Sequence, residues 1–181
     1  MAASHIALLR GINVGRAKRV AMADLRTLVA KLGYVEVQTL LNSGNVVFTI
    51  PRGTRGDPAA RIEQAIARQL KVSCRVVVLT ADTLAGIVRA NPLGDIADDP
   101  SRLLVTVLAK AADGPRLRPL LSQTWTPEAF DLGAQDSYLW CPRGIIDSPL
   151  AKAVSKVMGD GATSRNWATI GKLHALATGE D

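Results

Sequence analysis

Aromatic side chains are few. Seven of the 181 residues are Phe, Trp or Tyr, and the first 76 hold only Tyr34 and Phe48. Stacking platforms, worth roughly 1–3 kcal/mol per base to a nucleic-acid binder, are therefore scarce in that half. No K/R-G-F/Y-G-F-V string of the RNA-recognition kind is present. Cysteine is scarcer still: Cys74 and Cys141 stand alone, without CxxC spacing. That excludes a disulfide framework and leaves two reduced, mostly buried thiols. His5 and His174 have no metal-ligand spacing around them. HExxH, GxSxG and the Gly-Lys-Ser/Thr ending of a P-loop are all missing. No nucleophile, general base or metal site stands out, and no cofactor is expected. No apolar run approaches the ~20 residues that span a membrane. The apolar core near the N-terminus, Ile6 to Leu9, is closed by Arg10. It is too short for a signal peptide, so a cytoplasmic location is expected.

Acidic residues are also missing from one half. Residues 1–76 hold twelve Lys and Arg against Asp24, Glu36, Asp57 and Glu63, a net of +8, whereas the remainder sums to −2. A basic half on a near-neutral body points to an anionic partner such as nucleic acid, a nucleotide or a phosphorylated ligand. The competing reading is an ordinary solvated surface.

The order of elements follows from periodicity. Residues 5–10 form a short apolar run ended by Gly11 and read as a buried strand. In residues 22–32, Met22, Leu25, Leu28, Val29 and Leu32 make an amphipathic helical stripe, stopped by Gly33. Residues 35–41 and 46–50 read as strands of a hairpin around Asn42-Ser43-Gly44-Asn45. Asp57 and Pro58 supply the N-cap and first position of a second helix. Residues 74–79 are another strand. Residues 1–79 thus spell β-α-β-β-α-β, the split βαβ pattern of ferredoxin-like sheets. Thr80 caps a connecting helix over 81–90, and an acidic loop with Asp95, Asp98 and Asp99 completes a linker of residues 80–101. Residues 102–181 read as a variation, β-α-β-β-α-α, with helices over 150–158 and 165–177, the latter capped by Thr163 or Ser164. The fold class expected is α+β, two tandem ferredoxin-like (α/β-plait) subdomains.

Connectivity places the loop after the first strand and the hairpin turn at one edge of the sheet. That edge gathers Arg10, Gly11, Asn13, Gly15, Arg16, Lys18, Arg19, Asn42, Ser43, Gly44 and Asn45. Two glycines let backbone N–H groups face an anion, with basic side chains and a helix N-terminus close by. Arg52 and Arg55 are expected as flanking phosphate contacts. Arg165 and Asn166, before the last helix, either pair with a carboxylate across the subdomain interface or face a ligand. Trp167 reads as core packing.

Taken together, LLRGINVG (residues 8–15), Met-Ala-Asp-Leu (22–25), Leu32-Gly33-Tyr34, NSGNVVF (42–48) and SRNWATIGKL (164–173) resemble the bacterial family called domain of unknown function 1697. Two positions depart from the family pattern. Pro149 stands where a Lys is usual, and Ala168 where an Asn is usual. The resemblance implies two α/β-plait subdomains. It also implies nucleic-acid binding, suggested for relatives from positive surface charge.

The preferred expectation is binding of a phosphate-bearing ligand, foremost nucleic acid read through its phosphates without strong sequence specificity. An enzyme acting on a small nucleotide or phosphorylated substrate bound between the subdomains is the second reading. A protein-partner module is the third. No membrane contact is expected, and a monomer is favoured.

Overall fold

Short apolar runs become strands here and amphipathic stripes become helices, and among the described residues strand pairing assembles them into two four-stranded antiparallel sheets with six α-helices. The computed structural model describes residues 4–14 and 18–179. The chain divides into two units, residues 4–84 with 173–179 and residues 85–172.

The first unit runs β1 (Ser4–Arg10), α1 (Met22–Lys31), β2 (Val35–Leu40), β3 (Asn45–Thr49), α2 (Pro58–Gln69) and β4 (Arg75–Thr80). Its sheet order is β2-β3-β1-β4. The spacing that predicts α1 is used as expected, because Leu25, Leu28 and Val29 are its buried residues. Ile62, Ala65 and Ile66 do the same for α2. Both helices pack with Ala7, Leu9, Val46 and Phe48 of the sheet. Each such fully buried aliphatic side chain contributes about 1.5–3 kcal/mol. Asp57 caps α2, its Oδ2 accepting from the Ala60 N–H at 2.9 Å. Thr80 Oγ1 accepts from the Thr83 N–H at 3.1 Å at the start of α3 (Ala81–Arg89).

The second unit contains β5 (Leu103–Leu108), a 3-10 segment over Ala111–Leu117, α4 (Arg118–Leu121), β6 (Ala129–Leu132) and β7 (Asp136–Trp140). It continues through α5 (Pro149–Met158) and β8 (Ala162–Asn166) to the start of α6 (Trp167–Thr178). Its sheet order, β6-β7-β5-β8, repeats that of the first unit. The expected β-α-β-β-α-α is corrected by β8. The stretch expected to open the last helix pairs instead with β5, Val105 opposite Arg165 and Val107 opposite Thr163. β5 is buried at every residue, so its backbone N–H and C=O groups need ladder partners on both sides. That tertiary demand outweighs the helical pattern, and α6 starts two residues later than expected. Its first turn is capped by neither Thr163 nor Ser164. Asn166 Oδ1 accepts from the Thr169 N–H at 3.0 Å and from Thr169 Oγ1 at 2.7 Å.

The hairpins of the two units close in one register. In the first, Leu8 pairs with Asn45 and the Leu9 N–H donates to Gly44 O at 2.8 Å. In the second, Val107 pairs with Asp136 and the Leu108 N–H donates to Gln135 O at 3.0 Å.

Candidate functional site

At the end of β1 the chain turns through Gly11 at φ 80° and Asn13 at φ 54°. Asparagine tolerates this left-handed backbone better than most residues. Its side chain then holds the loop together. Asn13 Nδ2 donates to Val20 O at 2.9 Å and to Asn42 O at 2.7 Å, while the Val20 N–H donates to Asn13 Oδ1 at 2.8 Å. The Asn13 N–H donates to Lys18 O at 3.0 Å. One amide therefore staples the loop after β1 to itself and to the β2–β3 turn. The close approach needs glycine at position 44, which has φ 83°. A Cβ there would lie 2.8 Å from Leu9 Cβ and 2.7 Å from Ile12 Cδ1.

Between loop and turn lies a cleft of about 690 Å³. Its apolar wall is Ile12, Val14, Val20 and Ala21; its polar rim is Asn13, Arg19, Asn42 and Ser43. No lining residue is a carboxylate, histidine or thiol. Lys18, Arg19, Asn42 and Ser43 are exposed. Ala21 occupies the N-cap of α1, and no side chain caps that helix. The first N–H groups of a helix lack intrahelical partners and carry a partial positive charge, and Asp24 stands in this first turn.

The expected edge residues divide by role. Arg10, Lys18, Arg19, Asn42 and Ser43 stand at this end of the sheet. Asn45 is here as well but is fully buried, its Nδ2 donating to Leu40 O at 2.8 Å and to Ser43 Oγ at 2.9 Å. It builds the turn rather than facing outward. Gly15 and Arg16 lie outside the described residues. Arg52 and Arg55 are not brought to this edge: they follow β3 at its Thr49 end, which pairs with Ser4, the far end of the strand from Asn45. Four residue steps of strand separate the two ends by about 13 Å. There Arg55 O accepts from Arg61 Nη1 at 3.4 Å, and the Arg61 guanidinium lies 5.1 Å from the Tyr34 ring centroid. Arg165 and Asn166 belong to the second unit. Arg165 is 9% exposed, donating to Thr163 Oγ1 at 3.1 Å and Ser164 O at 2.8 Å. Burial holds its guanidinium below the usual range, at about 10.

Arg75, one of the twelve basic residues of the first 76, belongs to this edge as well. It pairs in register with Arg10 across β1 and β4 and so joins the same edge. Like charges in that position repel, and Glu63 offsets this with an ion pair to Arg75 at 3.5 Å. Beside them, burial pushes the Cys74 thiol up to about 11, with Glu63 adding to the shift and Lys18 opposing it.

The chain belongs to a family described as protein of unknown function (DUF1697), whose model matches residues 2–138. Its fold is similar to that of the conserved bacterial protein SP0830 from Streptococcus pneumoniae. The two are 21% identical, with 98% of this chain and 99% of that one covered and a TM-score of 0.78. At that identity the likeness is one of fold. No curated protein matches the chain.

Among the described residues, no helix is long and apolar enough to cross a membrane, and no group of three His, Cys, Asp or Glu side chains is placed to hold a metal ion.

Proposed function

We propose that the chain binds nucleic acid in the cytoplasm through its phosphates, without strong sequence preference, at the loop-and-turn edge of the first unit. We also read each unit as a ferredoxin-like plait, supported by the shared strand order with the fourth strand beside the first. The observation that carries the functional reading is the cleft itself. Ala21, the N-cap of α1 that no side chain caps, and Arg19 line it, Lys18 stands exposed nearby, and its lining holds no carboxylate, the first-turn Asp24 of α1 lying outside that lining. A phosphate placed there meets backbone N–H donors and two cations, as at other helix N-termini that bind phosphate. The lining holds no group suited to act as general base, so these residues supply binding rather than bond-making. The absence of aromatics from the lining keeps the contact dependent on phosphates.

Fluorescence anisotropy with labelled oligonucleotides at about 50 and 200 mM salt tests this. The expected result is binding at low salt that weakens steeply with added salt. Lys18→Ala/Arg19→Ala should weaken it at least tenfold and reduce the salt slope by about two, roughly one per phosphate contact. No binding by folded protein at low salt overturns the reading, as does binding that the double variant leaves unchanged.

A further inference from the structure

The apolar wall of the same cleft says which form of nucleic acid would enter. Val14 is 73% exposed at the mouth, although Ile12 and Val20 behind it are buried. A branched apolar side chain held out to solvent contributes nothing to folding through its exposed surface. It is placed to meet a ligand that has an apolar part close to its phosphate. A duplex turns its base faces inward and offers only phosphate and sugar along its backbone. A single strand leaves its bases unstacked and free to enter a concave site. The volume of about 690 Å³ falls within the range of sites for small organic ligands. Asn42 and Ser43 on the exposed rim add donors and acceptors that can meet a base edge.

We infer that the ligand is single-stranded, with one sugar–base unit seated against Ile12, Val14 and Val20 and its phosphate at Lys18, Arg19 and the α1 N-terminus. This rests on the binding proposed above and narrows it. The wall is aliphatic, so the preference for single strands is modest and tunable at Val14. Because Val14 is exposed, replacing it leaves the packing of the unit in place.

The test compares single- and double-stranded oligonucleotides of equal length by anisotropy, using wild type, Val14→Ala, Val14→Phe and Lys18→Ala/Arg19→Ala. Wild type should bind the single strand several-fold more tightly. Val14→Ala should lose about threefold for the single strand and nothing for the duplex. Val14→Phe, which supplies a stacking face, should gain at least threefold for the single strand only. The double variant should weaken both forms. Equal binding of both forms, insensitive to Val14 but weakened by the double variant, overturns the single-strand inference and leaves phosphate binding standing. Binding of neither form overturns both.

Discussion

The two units carry one hairpin frame with opposite chemistry at its closing position. In each, the residue that opens the third strand of its unit is buried and pairs near the end of the central strand. In the first unit it is Asn45 opposite Leu8; in the second it is Asp136 opposite Val107. Asn45 spends its amide on Leu40 O and Ser43 Oγ. Asp136 is 5% exposed, its Oδ2 has no hydrogen-bond partner among the described residues, and its Oδ1 accepts a long bond, 3.3 Å, from the Gln135 N–H. The flanking loops differ in the same sense. The amide hairpin stands beside Lys18 and Arg19. The carboxylate hairpin stands near Asp131, and these two acidic groups, after burial itself, push the Tyr138 phenol far above its usual range. A shared backbone frame thus carries a cationic cleft in one unit and a buried negative charge in the other. Sheet topology does not specify chemistry at this position; one side chain and its loop do.

Exchanging the two side chains is the strongest way to break that comparison. Asn45→Asp replaces a donor to two acceptors with a buried carboxylate facing them. The expected loss is about 3 kcal/mol or more, read as a fall in the urea midpoint with an unchanged slope. The same acceptors favour the protonated carboxyl, so its folded pKa lies above the unfolded value. The defect should therefore shrink as pH falls through the raised folded value and be smallest once pH is below the ordinary carboxyl value. A variant as stable as wild type at pH 7 would show that the two positions are not distinguished by hydrogen bonding. The reciprocal change should act with opposite sign and smaller size. Asp136→Asn removes an incompletely satisfied buried charge, and a gain of about 1 kcal/mol is expected at pH 7. Loss of stability instead would reveal a counter-charge for Asp136 and dissolve the contrast.

What could be read beforehand follows the range of the interactions. The β2–β3 hairpin, the Asp57–Pro58 start of α2 and the Thr80 cap are decided within a few residues, and local signals display them. Strand β8 is not local. Nothing in Thr163-Ser164-Arg165 distinguishes a strand from a helix start, and the open edge of β5, some sixty positions earlier, makes the choice. At the site, the convergence of the Gly11 loop with the Asn42–Asn45 turn follows from connectivity alone. The roles of Asn13 and Asn45 do not. Whether an amide faces solvent or the backbone depends on the φ of 54° at Asn13 and on full burial at Asn45. A charge tally ignores strand ends: it does not separate Arg52 and Arg55, beyond the Thr49 end of β3, from Arg75, which pairs with Arg10 at the opposite edge.

The cysteines give the finest comparison of the two units. Cys141 is buried, and burial pushes its thiol up. Its Sγ donates to Ser148 Oγ at 3.4 Å, an oxygen that also accepts from the Ala151 N–H at the start of α5. Cys74 is half-buried and lies under the opposed influence of Glu63 and Lys18. With its thiol up at about 11, Cys74 should react with a thiol reagent at pH 7.5 far more slowly than the same residue in urea, because only the thiolate attacks. Its rate should climb steeply toward pH 11, while Cys141 stays silent until the chain unfolds. Lys18 favours the thiolate, so Lys18→Ala should slow Cys74 further at every pH below 11. The raised folded value also ties Cys74 to stability. The unfolded thiol ionises first, near its ordinary value of about 8.5, so the contribution is complete below that pH and is lost as pH rises to 11. Cys74→Ser should flatten that part of the stability profile without altering it at neutral pH. Rapid labelling of Cys74 in the native protein at pH 7.5 would mean that the thiol is not shielded by the α2–β4 packing.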